Sequence, residues 1–413
     1  MVDHLFRAES GKMTAILTRI FGFQHSKLVE DIVQDTFLSA LKTWPLKGQP
    51  DNPSAWLMQV AKNKAINTIK KNNRLGSLDV DSISQVDQIA RLFLDHEIKD
   101  SQLRMLFACC YPDLSQKNQI ILMLKTLCGF SNAEISSALL MTPEAVKKAL
   151  YRSKSEIHSK YNDITVPAID IAKERLDTIY TVIYLMFSEG YKRSYDDHLI
   201  SEDLSLEAVR LGTLLLDIPN VNHGKTHALL SLIYFNIARF PARIGKNGEI
   251  IDLKVQDRRL WDKNCLNAGF HHLIQSRQSD SLSKFHLESF IASLHCSVDS
   301  YEKTDWGSIL STYQKLMKID DSELIRLNAA IALGKVEGPK AGLAALDKID
   351  FQSAKDKQYL LYAAKAELYM QMNLFDKAKS CYQVAADLAG SNADKKYLKS
   401  KIEECNRNNI SLN

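Results

Sequence analysis

Apolar positions recur at helical spacing through most of the chain. Between Leu28 and Trp44, residues Val29, Val33, Phe37, Ala40, Leu41 and Trp44 fall at i, i+4, i+8, i+11, i+12 and i+15, one stripe of an α-helix. Glu30, Asp31, Gln34 and Asp35 lie opposite that stripe. Upstream, Asp3–Phe21 has no Pro and one Gly and reads as a helix. Pro45–Asn52 predicts a turn, and Asn52-Pro53 an N-cap followed by proline at the first helical position. The helix that follows, to about Asn73, turns Leu57, Ala61, Ala65 and Ile69 inward. Residues 76–95 are polar (Ser77, Asp79, Asp81, Ser82, Ser84, Asp87) and show no clear period, which predicts a linker.

From 96 to 160 the helical pattern returns. Gly129 marks a turn, and Ser131 with Glu134 forms a capping box for a short amphipathic helix, Asn132–Leu140. Thr142-Pro143 is a second N-cap with a first-turn proline. In Pro143–His158, Val146, Ala149, Leu150 and Ile157 face inward. Glu144, Lys147, Lys148, Tyr151 and Lys154 face outward, with Arg152 at the margin. From about Arg175 onward helical segments follow one another without strand alternation. Near the C-terminus Ala366, Tyr369, Ala378, Tyr382 and Ala385 match the small/aromatic spacing of a tetratricopeptide (TPR) unit. Leu327–Leu346, rich in small residues, reads as a degenerate neighbour of that unit.

Composition narrows the class. Only 16 Gly and 9 Pro in 413 residues favour an all-α chain over sheet-rich or Rossmann-type folds, which need more turn glycines. No apolar run approaches the ~20 residues that span a bilayer. Asp3, His4, Arg7 and Glu9 argue against a signal peptide. The seven cysteines form no CxxC pair, so the expectation is a reduced, cytoplasmic protein without a thiolate metal site. The net charge of +4 is uneven: residues 1–165 hold 21 Lys and Arg against 17 Asp and Glu, and the remainder holds 32 of each. The first part is therefore where nucleic acid would be met.

Residues 131–159 have the layout of a helix-turn-helix, in which outward cations meet phosphates and first-turn side chains reach base edges. An ordinary helical hairpin with a solvated basic face fits the same pattern. From Ala61 to Arg74 there are five cations and no anion, next to Trp56. This suits melted DNA, where cations track phosphates and aromatics stack on bases; a solvated lysine face is again the alternative. The paired carboxylates of 28–44 have no histidine at ligand spacing, so a protein-docking surface explains them better than catalysis. In the C-terminal half Arg243, Asp257, Arg258 and Trp261 form a candidate pocket, although such charged clusters are more often the structural pairs of an inter-helix core. His271-His272 and His295-Cys296 are adjacent pairs that do not face one site, so no metal is expected. HExxH, Walker A and GxSxG motifs are absent; the expectation is a non-enzyme with no cofactor.

The order of these segments resembles the group IV, extracytoplasmic-function type of bacterial RNA polymerase sigma factor. LVEDIVQDTFLSALKTW (28–44) is similar to the region 2.1–2.2 helix that docks on polymerase. NPSAWLMQVAKNKAINTIKKNNR (52–74) is similar to regions 2.3–2.4, which melt and read the −10 element. LSQKNQIILMLKTLCGFSNAEISSALLMTPEAVKKALYRSKSEI (114–157) is similar to region 4, which reads the −35 element. RLDTIYTVIYLMFSEGY (175–191), TDWGSILSTY (304–313) and LNAAIAL (327–333) resemble the extra domain of a subgroup with a TPR-type C-terminal extension.

The resemblance implies an all-α architecture: region 2 over 1–75, a linker over 76–95, region 4 over 96–165 and a TPR-like regulatory domain over 166–413. It implies that Asp31, Gln34, Asp35, Phe37 and Leu38 contact core RNA polymerase. Trp56, Lys62, Lys64, Asn67, Lys70 and Lys71 would serve the −10 DNA, beside a loop, Pro45–Asn52, that holds a flipped base. Thr142, Glu144, Lys147, Lys148 and Arg152 would serve the −35 duplex. The implied partners are core polymerase, promoter DNA and a regulatory protein or ligand at the C-terminal domain, with no membrane. The alternative is a polymerase-independent helix-turn-helix regulator whose helical domain senses a ligand.

Overall fold

The computed structural model describes residues 2–75, 82–139, 141–160, 169–193, 200–218, 222–243, 245, 251–351 and 357–412. Every regular element among them is an α-helix or a short 3-10 turn. Ser77, Asp79 and Asp81 of the expected linker, and the expected boundary at 165/166, lie outside the described residues. Two compact units emerge: Met1–Gly190 with Leu206–Val221, and Tyr191–Ser205 with Asn222–Asn413.

The first unit contains α1 (Val2–Phe21), α2 (Ser26–Lys47), α3 (Pro53–Leu75), α4 (Ser82–Leu92), α5 (Asp95–Cys109), α6 (Gln116–Thr126), α7 (Asn132–Ala138), α8 (Pro143–Lys160), most of α9 (Ile169–Arg193) and the later turns of α10 (Ile200–Leu214). The predicted stripes build its first core. Met13 and Leu17 of α1 meet Val29, Val33, Phe37 and Ala40 of α2 and Leu57, Ala61 and Ala65 of α3. Asn52 caps α3 as expected, its Oδ1 accepting from the Ala55 N–H at 3.0 Å.

Two local expectations change. α2 continues through Pro45 to Lys47 instead of turning after Trp44. A proline in the last turn forfeits only one intrahelical N–H. The stop comes at Gly48, whose φ of 81° few other residues adopt. The linker is also partly helical, as α4. Ile83, Val86, Ala90 and Phe93 recur at three- and four-residue spacing, a stripe diluted by Ser, Asp and Gln. Ile89 is buried, and Phe93 packs against the core of α1–α3.

α6 sits at the centre of the second core, with Gln119–Leu124 buried in sequence. It packs against α5, α7, α8 and α1. Gly11 of α1 makes this approach feasible: a Cβ there would lie 1.9 Å from the Leu127 carbonyl oxygen. Arg19 of α1 pairs with Glu97 (2.8 Å) and Asp100 (3.0 Å) of α5. The same Leu127 carbonyl accepts from Arg210 Nη2 at 2.8 Å, so α10 reaches this joint as well. Cys109, Cys110 and Cys128 are buried here; burial pushes the Cys109 thiol up to about 12, so it packs as a neutral apolar group.

The second unit runs from α11 (Gly224–Ile237) and α12 (Phe240–Arg243) through α13 (Lys263–Gln275), α14 (Lys284–Cys296), α15 (Trp306–Leu316), α16 (Glu323–Val336), α17 (Pro339–Leu346), α18 (Gln358–Gln371), α19 (Phe375–Leu388) and α20 (Asn392–Leu412). From α14 onward each helix packs on its sequence neighbours, the arrangement of a TPR-like stack. Ala366, Ala378, Tyr382 and Ala385 share one core cluster with Tyr369 at its edge, which gathers the predicted TPR signature. No helix among the described residues is long and apolar enough to cross a membrane.

Candidate nucleic-acid interface

α2 separates its two faces sharply. Val29, Ile32, Val33, Thr36, Phe37 and Ala40 are buried. Asp31, Gln34, Asp35 and Leu38 are exposed on the other side. Of the five residues implied for polymerase docking, Phe37 is the exception: at 5% exposure it belongs to the core and supports the surface from beneath. The apolar part of the outer surface is instead Leu38 with Leu41 (52% exposed) and Leu46 (86%), two leucines that the interface reading left out. Periodicity placed Leu41 in the inward stripe; the structure corrects this, because Val29, Ile32, Val33, Phe37 and Ala40 fill the core without it and leave it outside.

α3 presents the second surface. Its Trp56 is half-buried and meets Trp44 of α2 edge to face, with ring centroids 5.5 Å apart. This contact fixes the start of α3 against the end of α2. Lys62 lines a cavity of about 770 Å³ together with Asn52, Ser54 and Met58 and with residues of α1, α5 and α10. Lys64 lies 3.8 Å from Asp35. Asn67, Lys70 and Lys71 are exposed. The six −10 residues therefore divide: Trp56 is anchored, Lys62 borders a cavity, Lys64 leans to α2, and the other three point outward along the distal half.

α6, α7 and α8 form the third surface. Ser131 caps α7 in a full capping box with Glu134. Thr142 Oγ1 accepts from the Ala145 N–H at 3.2 Å and starts α8. Val146, Leu150 and Ile157 of α8 are buried. Thr142, Glu144, Lys147, Lys148 and Arg152 are all exposed, and Tyr151 beside them is 77% exposed. A helix docked from beneath with polar side chains free on its N-terminal half has the geometry of a major-groove reader. Lys154, expected to face outward, instead pairs with Glu30 of α2 at 3.0 Å and is mostly covered. Periodicity placed it on the outer face but could not show that another helix covers that face.

In the second unit, Arg258 donates to the carbonyls of His295 and Val298, the latter at 2.9 Å, and so closes the C-terminal end of α14. Its guanidinium lies 4.7 Å from the ring centroid of Trp261, which is buried. Arg243 is buried, and its carbonyl accepts from the Ile251 N–H at 2.9 Å. Asp257 turns away to Arg259, whose guanidinium lies 2.8 Å from it. The four candidate pocket residues are thus only partly brought together. A cavity of about 320 Å³ near by is lined by other residues, among them Asp252, Lys254, Trp306 and Tyr397. His272 Nδ1 is 2.7 Å from His227 Nδ1, and burial followed by the neighbouring His227 and His271 pushes His272 down to about 4. No group of three or more His, Cys, Asp or Glu among the described residues is arranged to hold a metal ion.

Known families match three stretches of the chain. Residues 5–75 match sigma-70 region 2, and residues 104–157 match sigma-70 region 4. Residues 175–277 match a family of unknown function, DUF6596. An uncharacterized protein of Rhizobium meliloti (strain 1021) is 30% identical over 387 residues, covering 92% of this chain and 90% of its own. No solved structure matches the chain. Region 2 therefore coincides with α1–α3 and region 4 with the α5–α8 segment that carries the helix-turn-helix. The chain belongs to the sigma-70 family, as an extracytoplasmic-function type of sigma factor for promoter-specific transcription that carries a helical C-terminal extension.

Proposed function

We propose that the three exposed surfaces divide the work of initiation. Asp31, Gln34, Asp35 and Leu38 of α2 dock on core RNA polymerase, with Phe37 holding that surface in place. The outward half of α3, with Asn67, Lys70 and Lys71, tracks the backbone of melted −10 DNA, beside Lys62, Lys64 and Trp56. Thr142, at the N-cap of α8, and Glu144, Lys147, Lys148 and Arg152 on it serve the −35 duplex. In this reading core polymerase supplies the chemistry. The chain's contribution is to hold two weak DNA contacts at once, so that each raises the effective concentration of the other. Extruding a base costs a few kcal/mol, which polymerase and pocket contacts offset.

The observation that carries this reading is the exposure of all five −35 residues on a helix whose opposite face is buried. Its test is charge reversal on α2. Asp31→Arg with Asp35→Arg leaves the buried face untouched, so the fold should persist while binding to core polymerase falls at least tenfold. A polymerase-independent regulator would lose nothing by these changes and would keep its affinity for duplex DNA.

The extension regulates this module. Support comes from α10, whose later turns lie within the first unit and whose Arg210 is bonded to the Leu127 carbonyl at the base of the helix-turn-helix. Glu207 holds Arg210 in place at 2.7 Å. Arg210→Ala should loosen α6–α8, seen as faster amide exchange there, and change transcript yield with the α2 surface intact. Unaltered exchange and unaltered yield would contradict a regulatory role for this contact.

A further inference from the structure

The 320 Å³ cavity of the second unit lies among α15, α16, α18, α19 and α20. One side of it is not helix at all but a strap, Ile251–Gln256. Leu253–Val255 makes a single 3-10 turn, and Gln256 Nε2 closes the strap by donating to the Ile251 carbonyl at 2.9 Å. The strap is held end by end. Asp252 Oδ2 accepts from the Tyr397 hydroxyl at 2.6 Å and lies 3.2 Å from Lys401 Nζ, both on α20. Lys254 Nζ lies 3.8 Å from Glu367 Oε1 on α18, and Glu367 Oε2 accepts from the Tyr382 hydroxyl at 3.2 Å. Between the two ends Leu253 lines the cavity with Trp306, Ile309, Tyr313 and Ile331.

Four helices thus offer a hydroxyl and an ammonium to a carboxylate, an apolar and aromatic wall to an aliphatic side chain, and a carboxylate to a cation. Burial and the Asp252 carboxylate push the Tyr397 hydroxyl far above the ordinary tyrosine range, so it remains a donor. The strap is firmly held at Asp252 but uses the other end of the site lightly. Val255 is 69% exposed, Lys254 is exposed, and the Lys254–Glu367 pair is long. The cavity also remains open beside Leu253. A segment tethered in its own chain sits at an effective concentration of about millimolar, so light contacts keep it in place. A free segment of the same chemistry with a larger apolar residue would fill what Leu253 leaves open.

We propose that this groove is a docking site for an acidic–aliphatic–basic segment of a partner protein, and that Asp252-Leu253-Lys254 is its resident internal mimic, which the partner displaces. The inference goes beyond the sigma assignment and stands on the groove alone.

The strap itself supplies the probe. A labelled peptide, Ile-Ile-Asp-Leu-Lys-Val-Gln, would be titrated by fluorescence anisotropy into the full chain. Wild type should bind weakly. Asp252→Asn, which frees the groove, should lower Kd at least tenfold, and adding Lys401→Ala should reverse the gain. Asp252→Ser serves as a second releasing variant, with circular dichroism to verify folding. The proposal is overturned if folded Asp252→Asn binds no better than wild type, or if binding ignores Lys401→Ala. It is equally overturned if both Asp252 variants unfold, which would make the strap a structural staple. Self-association of the released variants would place a second copy in the groove and would also contradict a partner protein.

Discussion

Glu288 is a carboxyl that the second unit holds at a cost. Its Oε2 is sealed from solvent without a hydrogen bond, and burial pushes its pKa up from 4.5 to about 7. The folded chain therefore binds this proton where the unfolded chain does not. The contribution to stability falls as pH rises from 4.5 to about 7 and stays low above that. His295 acts in the opposite sense: burial, then Arg239 and Arg258, push it from 6.5 down to about 4. Its contribution is lost as pH falls through that window. Glu288→Gln should therefore stabilise the second unit at pH 8, by something on the order of 2 kcal/mol, and change little at pH 5. Thermal melts of the two proteins at both pH values check this. Equal destabilisation at both would mean the carboxylate makes a favourable contact. Local residues of this kind are poorly legible in sequence. Glu288 looks like any helical glutamate, whereas Asn52, Ser131 and Thr142 announce their capping roles by the residues within three positions of them.

At the scale of elements, the stripes of α2, α3 and α8 could be read because each carries a complete local pattern. α4 could not, since polar residues dilute its apolar positions, and Phe93, just past its end, meets the α1–α3 core by a tertiary contact. Lys154 shows the same limit: its outward position on α8 was legible, but its pairing with Glu30 joins residues 124 apart. The contact of Asp252 with Tyr397 spans 145 residues. Such pairings leave no periodic trace. On α8, Lys147→Ala and Lys148→Ala should weaken promoter binding about equally across −35 sequences. Each should lower the slope of log K against log salt by about 1, as expected for lost phosphate contacts. Gel-shift titrations between 50 and 200 mM salt measure this. A change confined to one base position would reassign that lysine to base reading.

Over the whole molecule the charge is unevenly divided. The net positive charge falls within the first 165 residues, which contain regions 2 and 4, while the remainder is neutral. Sequence order carried most of the assignment: an acidic helix, a capped basic helix, then a capped helix-turn-helix. What it did not carry was the return of α10 to the first unit, where Arg210 meets Leu127 across 83 residues. Reconstitution with core polymerase tests the sigma function of the chain. The purified 413-residue chain should bind core RNA polymerase and direct discrete run-off transcripts from its promoters. A folded chain that fails to bind core polymerase at low salt would not be a sigma factor.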